Sequence, residues 1–245
     1  MLFFVNLKYI TNTLMIRNLL FILPLLLFSS CSKEDENKVF QKNTLNFTQE
    51  IQIETLNDGN FELNIGIWMF KKQKKEIDAI ANWINVQHLG KTILEPINII
   101  WVDLTAKTTE EANLNVTTFL KANNINPRAG SSEGYFGLFE NNNWVSQYDK
   151  TWSNQLNHIT VNNHGRIFLS QKIISNTGKT AYISTGAFSY ENEQHYFISF
   201  KNAIYELQEQ NNWKIYDEQL QIRNIISNSV YDTFDHEGAK VFINQ

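Results

Sequence analysis

The sequence predicts a single mixed α+β domain: a partly buried sheet flanked by about three helices. "INIIWVDL", Ile97–Leu104, is a continuous apolar run, the pattern of a strand buried on both faces. Segments before and after it repeat their apolar residues every three or four positions, as amphipathic helices do. Beyond Gly134 the texture changes to apolar strand-like segments separated by asparagine-rich turns such as "ENNNW", which reads as local strand pairing.

Taken in order, "IQIETL" from Ile51 is the first strand, and "FELNIGIWMF", Phe61–Phe70, alternates as a second extended segment. Ile77, Ile80, Ala81 and Ile84 mark a helix ending near Gly90, with His88 closing it where the helix's partial negative charge favours an imidazolium. Thr108 with Glu111 makes a capping box for a second helix, whose core face is Ala112, Val116, Phe119 and Leu120 and whose end is "NPRAG". "GYFGLFENNNWVSQY" reads as a hairpin, and "GRIFLSQKII" and "TAYISTGAFSY" as two strands joined by "SNTGK". Ser199 caps a third helix that buries Ala203, Ile204 and Leu207. Short strands around Ile222–Ile226 and Lys240–Ile243 close the chain.

The amino terminus reads as an address. Arg17, the apolar stretch Leu19–Phe28 and the small pair Ser29-Ser30 follow the order of a secretory signal. The stretch is shorter than the ~20 residues a spanning helix needs, and Pro24 interrupts it. A second apolar stretch, Met1–Leu14, precedes Met15, so either methionine can be the start. "LFSSC" resembles the lipobox of bacterial lipoproteins, with Phe28 where leucine is commoner, and "SKEDEN" after it resembles the export signal of Bacteroidetes surface lipoproteins. The resemblance implies removal of residues 1–30 and acylation of Cys31. It also implies a charged tether over residues 31–50, a globular domain over 51–245, and anchoring at the outer membrane, facing the cell surface. Each buried methylene contributes about 0.8 kcal/mol, and more than one chain makes the anchor lasting. The membrane is thus the expected partner.

Composition narrows the rest. Residues 1–30 hold Lys8 and Arg17 and no acids, so the remainder carries 19 basic against 25 acidic residues. Such a chain lacks the cations that drive nucleic-acid binding, and the run "KKQKK" at Lys71–Lys75 reads as solvated surface. Cys31 is the sole cysteine, so with it acylated no disulfide, zinc–thiolate site or thiol nucleophile remains. No metal and no cofactor are expected.

No GxSxG elbow, Walker loop, HExxH or glycine-rich dinucleotide turn is present, and whether the protein is an enzyme stays open. The candidate chemistry is His164, Arg166 and His195. If "GRIFL" and "TAYISTGAF" pair, two imidazoles and a guanidinium approach one sheet end, a set suited to an anion or a phosphoester. Turn chemistry at "NNHG" is the alternative reading for His164. Asp103, at the end of the buried strand, is a secondary ligand-binding candidate. "FDHEG" at His236 reads as a turn rather than a metal site. Tyr135 and Trp144, with Phe136, are candidates for a glycan- or protein-binding aromatic hairpin, core packing being the other explanation. "LGKTILEPINIIWVDL", "NNHGRIF", "STGAFS" and "HYFISF" together resemble a set of uncharacterised secreted bacterial proteins and, more distantly, the LssY-type C-terminal domain. That resemblance implies a grouping of His164, Arg166 and His195 and no particular substrate.

Overall fold

The computed structural model describes residues 46–72, 86–128, 133–156, 160–193, 197–211 and 238–243. All lie in one compact unit, Lys42–Gln245. The chain opens with a hairpin of β1 (Thr48–Thr55) and β2 (Gly59–Gly66), then β3 (Trp68–Lys72), β4 (Gln87–His88), β5 (Lys91–Pro96) and β6 (Ile99–Asp103). After helix α1 (Thr109–Ala122) come β7 (Asn126–Pro127), β8 (Tyr135–Phe139), β9 (Asn143–Ser153), β10 (Asn162–Phe168), β11 (Gln171–Ile174), β12 (Thr180–Glu191) and β13 (Phe197–Ser199). Helix α2 (Phe200–Asn211) and β14 (Ala239–Ile243) complete the described elements.

This corrects the expected α+β class. Fourteen strands stand against two α-helices among the described residues, so the protein is mostly β rather than a sheet flanked by three helices. Twelve strands form one sheet in the order β14-β6-β12-β10-β9-β8-β3-β5-β4, with β11 and β13 added to β12 and β7 to β9. Helical stripes are legible locally, whereas the extent of a sheet depends on pairing between residues far apart in sequence, which periodicity does not report. The helix expected over 77–84 and the strand at Ile222–Ile226 lie outside the described residues. His88, expected to close that helix, sits in β4 opposite Lys91, and burial lowers its pKa instead of a helix end raising it. Phe61–Phe70 is two strands, divided at Ile67, whose N–H donates to the Phe47 carbonyl. Lys91–Pro96, which no periodicity singled out, is a strand of the main sheet.

Both helices follow their sequence signals. Thr108 Oγ1 accepts from Glu111 N–H at 3.1 Å, and the Glu111 carboxylate reaches back to Lys107 N–H at 2.8 Å. Ser199 Oγ accepts from Asn202 N–H at 2.8 Å at the start of α2. Val116 and Leu120 of α1, and Ala203, Ile204 and Leu207 of α2, cover one sheet face with Ile99, Trp101, Ile167 and Phe188. Bare glycine backbone admits the large rings here: a Cβ on Gly165 would lie 2.3 Å from the Phe188 ring, and one on Gly186 would lie 2.6 Å from Trp101.

The opposite face is the inside of a curl. Strands are spaced at about 4.8 Å, so a flat sheet would hold β10 and β5, four steps apart, roughly 19 Å from each other. Instead Arg166 of β10 reaches Glu95 of β5 at 3.7 Å. The inner surface buries Phe168, Ile100, Val102 and Ile183 in one cluster with Ile51, Ile53, Phe61, Leu63 and Ile65 of the β1–β2 hairpin. The hairpin tip is tied to the β11–β12 turn, where Thr177 Oγ1 donates to the Asp58 carbonyl at 2.7 Å and Asn60 N–H donates to Asn176 Oδ1 at 3.0 Å. Apolar packing thus fills the curl at the hairpin end and leaves the polar residues at the other.

Candidate functional site

Alternation along β10 sends Asn162, His164 and Arg166 to the inner face, because Gly165 and Ile167 face the helices. Register then fixes their neighbours. His164 lies opposite Ser189 on one side and Ser153 on the other, Arg166 opposite Ala187, and Asn162 opposite Glu191. The reading of "NNHG" as a turn is therefore incorrect: those residues are consecutive positions of an interior strand.

Around them gather ionisable groups from five other parts of the sheet. Glu191 of β12 places Oε1 at 3.5 Å from His164 Nε2. Glu95 of β5 places Oε1 at 3.7 Å from Arg166 Nη1. Arg128, just past β7, donates from Nη1 to Asn162 Oδ1 at 3.2 Å. Tyr135 of β8 lies beneath Arg166, with the guanidinium carbon 4.4 Å from the ring centroid, and Lys71 of β3 approaches the same ring at 5.6 Å. His164 and Arg166 are 2% and 7% exposed, so the cluster sits inside the fold, and Arg128 and Glu191 form its half-buried rim.

The hydrogen bonds fix the histidine tautomer. Asn162 Nδ2 donates to the Thr160 carbonyl, which turns Oδ1 toward His164 Nδ1 at 3.0 Å. An amide oxygen only accepts, so Nδ1 carries a proton and Nε2 is presented to Glu191. Burial, reinforced by the charge of Glu95, lifts the Glu191 carboxyl to about 7, although Arg166 and Arg128 pull it down. Burial also raises Glu95, with Arg166 opposing. The Arg128 guanidinium is lowered by burial and then by Arg166, with Glu191 acting the other way. A carboxyl poised near neutrality thus faces an imidazole nitrogen across 3.5 Å. Glu95 Oε2 and Ser189 Oγ are buried and have no hydrogen-bond partner among the described residues.

The sequence candidates are not all brought together. His164, Arg166 and Tyr135 share the cluster. His195 lies outside the described residues. Asp103 sits at the far end of the sheet: it pairs with Tyr182, nine residues along β12 from Glu191, or roughly 30 Å at about 3.3 Å per residue. Its Oδ1 accepts from Thr105 N–H, Thr105 Oγ1 and Ala106 N–H, and its Oδ2 from Asn115 Nδ2, so it fastens the connection into α1. Trp144 is on the other face of the β8–β9 hairpin from Tyr135, beside Phe136 and Leu138. There it meets Phe70 edge-on at 5.0 Å, and Lys91 Nζ lies 4.5 Å from its ring centroid and 4.9 Å from that of Phe136. Among the described residues no group of three or more His, Cys, Asp or Glu side chains is arranged to hold a metal ion.

Three members of the cluster escaped sequence reasoning. Glu95 interrupts the apolar run "ILEPINII", and a lone carboxylate in such a run is the one signal that could have marked it. Arg128 was absorbed into a helix-ending motif. Glu191 closes "TGAFSYE" and becomes a neighbour of His164 only once the β10–β12 register is known. No family model, curated protein or solved structure matches the chain.

Proposed function

We propose that this is a lipid-anchored extracytoplasmic protein, held to the bacterial outer membrane through Cys31 and facing the cell surface. Its curled sheet carries a small-molecule site on the inner face. The residues of that site are His164 and Arg166 with Glu95, Glu191 and Arg128. Its available chemistry is the Glu191 carboxyl, titrating near 7, held beside the His164 imidazole and two guanidinium groups.

One observation carries the reading. Two arginines, two glutamates and a histidine converge from β5, β10, β12 and the segment past β7 into an interior that apolar residues would fill at least as stably. Perturbed carboxyls clustered with cations mark functional sites more often than ordinary core. The aromatic-hairpin alternative has less support, since Tyr135 is buried beneath Arg166 and Lys91 lies over the Phe136 and Trp144 rings.

The test has two parts. Fatty-acid labelling of growing cells should mark the parent chain and not Cys31→Ser, and a labelled Cys31→Ser chain would remove the anchor. Screening small polar solutes by thermal shift should give hits that His164→Asn loses. Hits unaffected by His164→Asn would place binding elsewhere.

A further inference from the structure

The inner face carries oxygen atoms that the fold leaves without hydrogen bonds. Glu95 Oε2, Ser189 Oγ and Thr151 Oγ1 have no partner among the described residues, and these residues are 8%, 1% and 0% exposed. Register brings them to one place. Ser189 lies opposite His164 on β12, between Ala187, which is opposite Arg166, and Glu191. Thr151 precedes Trp152, which pairs with Gly165 and faces the helices, so Thr151 turns to the inner face beside β10. Its carbonyl accepts from Arg128 N–H at 2.8 Å. Glu95 arrives from β5 with Oε1 toward Arg166, and its charge acts on Glu191, so it stands over the same row. Buried polar atoms without partners cost stability, and a ligand that supplies the missing bonds recovers that cost.

We propose, resting on the small-molecule site above, that its ligand is a neutral polyol of the monosaccharide type, whose hydroxyls bond Glu95 Oε2, Ser189 Oγ and Thr151 Oγ1. The chemistry of the three atoms selects this class. An anionic ligand only accepts and gives the Glu95 carboxylate nothing. An ammonium donates to Glu95, but it adds a cation where Arg166 and Arg128 already stand. A hydroxyl both donates and accepts, so it satisfies a carboxylate and a serine or threonine hydroxyl alike. Burial holds the Glu95 carboxyl above its ordinary range, and a hydroxyl answers it in either protonation state. Spacing agrees as well. Ser189 and Thr151 sit on the strands either side of β10, two steps or about 10 Å apart. Oxygens across a sugar ring are about 5–6 Å apart and each hydrogen bond adds about 2.8 Å, which covers that span. Arg166, His164 and Glu191 keep the contacts they have, and His164, on the strand between the two hydroxyls, forms the floor.

The experiment uses the full chain, solubilised in a detergent without a sugar head group. Calorimetry titrates glucose, galactose, mannose and inositol, with acetate and methylammonium as charged comparisons. At least one polyol should bind, and neither charged probe should. Ser189→Ala and Thr151→Val should each weaken that binding about fivefold, the scale of one neutral hydrogen bond, and Glu95→Gln about tenfold. Because the two hydroxyls have no partner in the protein, Ser189→Ala and Thr151→Val should melt no lower than the parent, so these variants serve even if Glu95→Gln does not fold. A clear fall in their Tm would show hydroxyls already bonded within the protein and overturn the proposal. Polyol binding that Ser189→Ala and Thr151→Val leave unchanged would overturn it too. Acetate or methylammonium binding alone, lost in His164→Asn, would overturn the polyol class and leave the site standing. If no solute binds, the site and this proposal both fall.

Discussion

Arg166 and Glu95 meet at 3.7 Å although four strand-to-strand steps separate them in the sheet, so this pair spans the curl rather than a ladder. Both are buried, and Glu191 is a second carboxylate that feels the Arg166 charge. Glu95→Leu should cost about 3 kcal/mol, the usual scale for removing one partner of a buried ion pair. Adding Arg166→Met should recover most of that, because an apolar pair needs no solvation. Urea denaturation of the two variants checks this, and equal losses would show that the pair does not couple across the curl.

Glu191 gives stability a pH dependence of unusual sign. Its carboxyl is raised from 4.5 to about 7 by burial and Glu95, so the folded state holds a proton that the unfolded chain has already released. The native state is free of this cost below about pH 4.5, loses stability as pH rises toward 7, and bears the whole cost above it. The shift corresponds to about 3 kcal/mol. Unfolding free energies measured between pH 5 and pH 8 should fall less steeply in Glu191→Gln than in the parent.

Gly165 separates His164 from Arg166 and lies under the Phe188 ring. A Cβ there would sit 2.3 Å from a ring carbon, and Ala187 O is 2.4 Å away, so Gly165→Ala should displace β10 against β12. Overpacking of this kind typically costs about 1–3 kcal/mol. Phe188→Leu in the same chain should restore part of the loss in Tm.

Asp103 serves as a contrast. Its four hydrogen bonds hold the connection into α1, and Asp103→Ala should destabilise the protein by about 3 kcal/mol. Because it lies at the far end of the sheet, affinity for any small polar solute that His164→Asn ceases to bind should equal the parent's at temperatures where Asp103→Ala is folded. Reduced affinity in folded protein would return Asp103 to the list of ligand-binding residues.

The sequence by itself determined the local devices. Thr108 with Glu111, and Ser199 alone, announce two helix starts, since a cap acts within one turn of the chain. The asparagines of "ENNNW" announce the β8–β9 turn, where Asn141 and Asn142 adopt positive φ of 57° and 60°. His164 and Arg166 were legible as a pair from their closeness in sequence, and the structure places them two apart on one face of β10. What only the tertiary structure decided is who meets them. Glu191 is brought to His164 by antiparallel register, and Glu95 to Arg166 by the curl, over separations that no spacing rule covers. Asp103 and Trp144 moved out of the site for the same reason: position along a strand, and the face it presents, follow from pairing partners chosen by the whole core. Local chemistry is written in neighbouring residues, whereas a buried charge cluster exists only where the sheet folds back on itself.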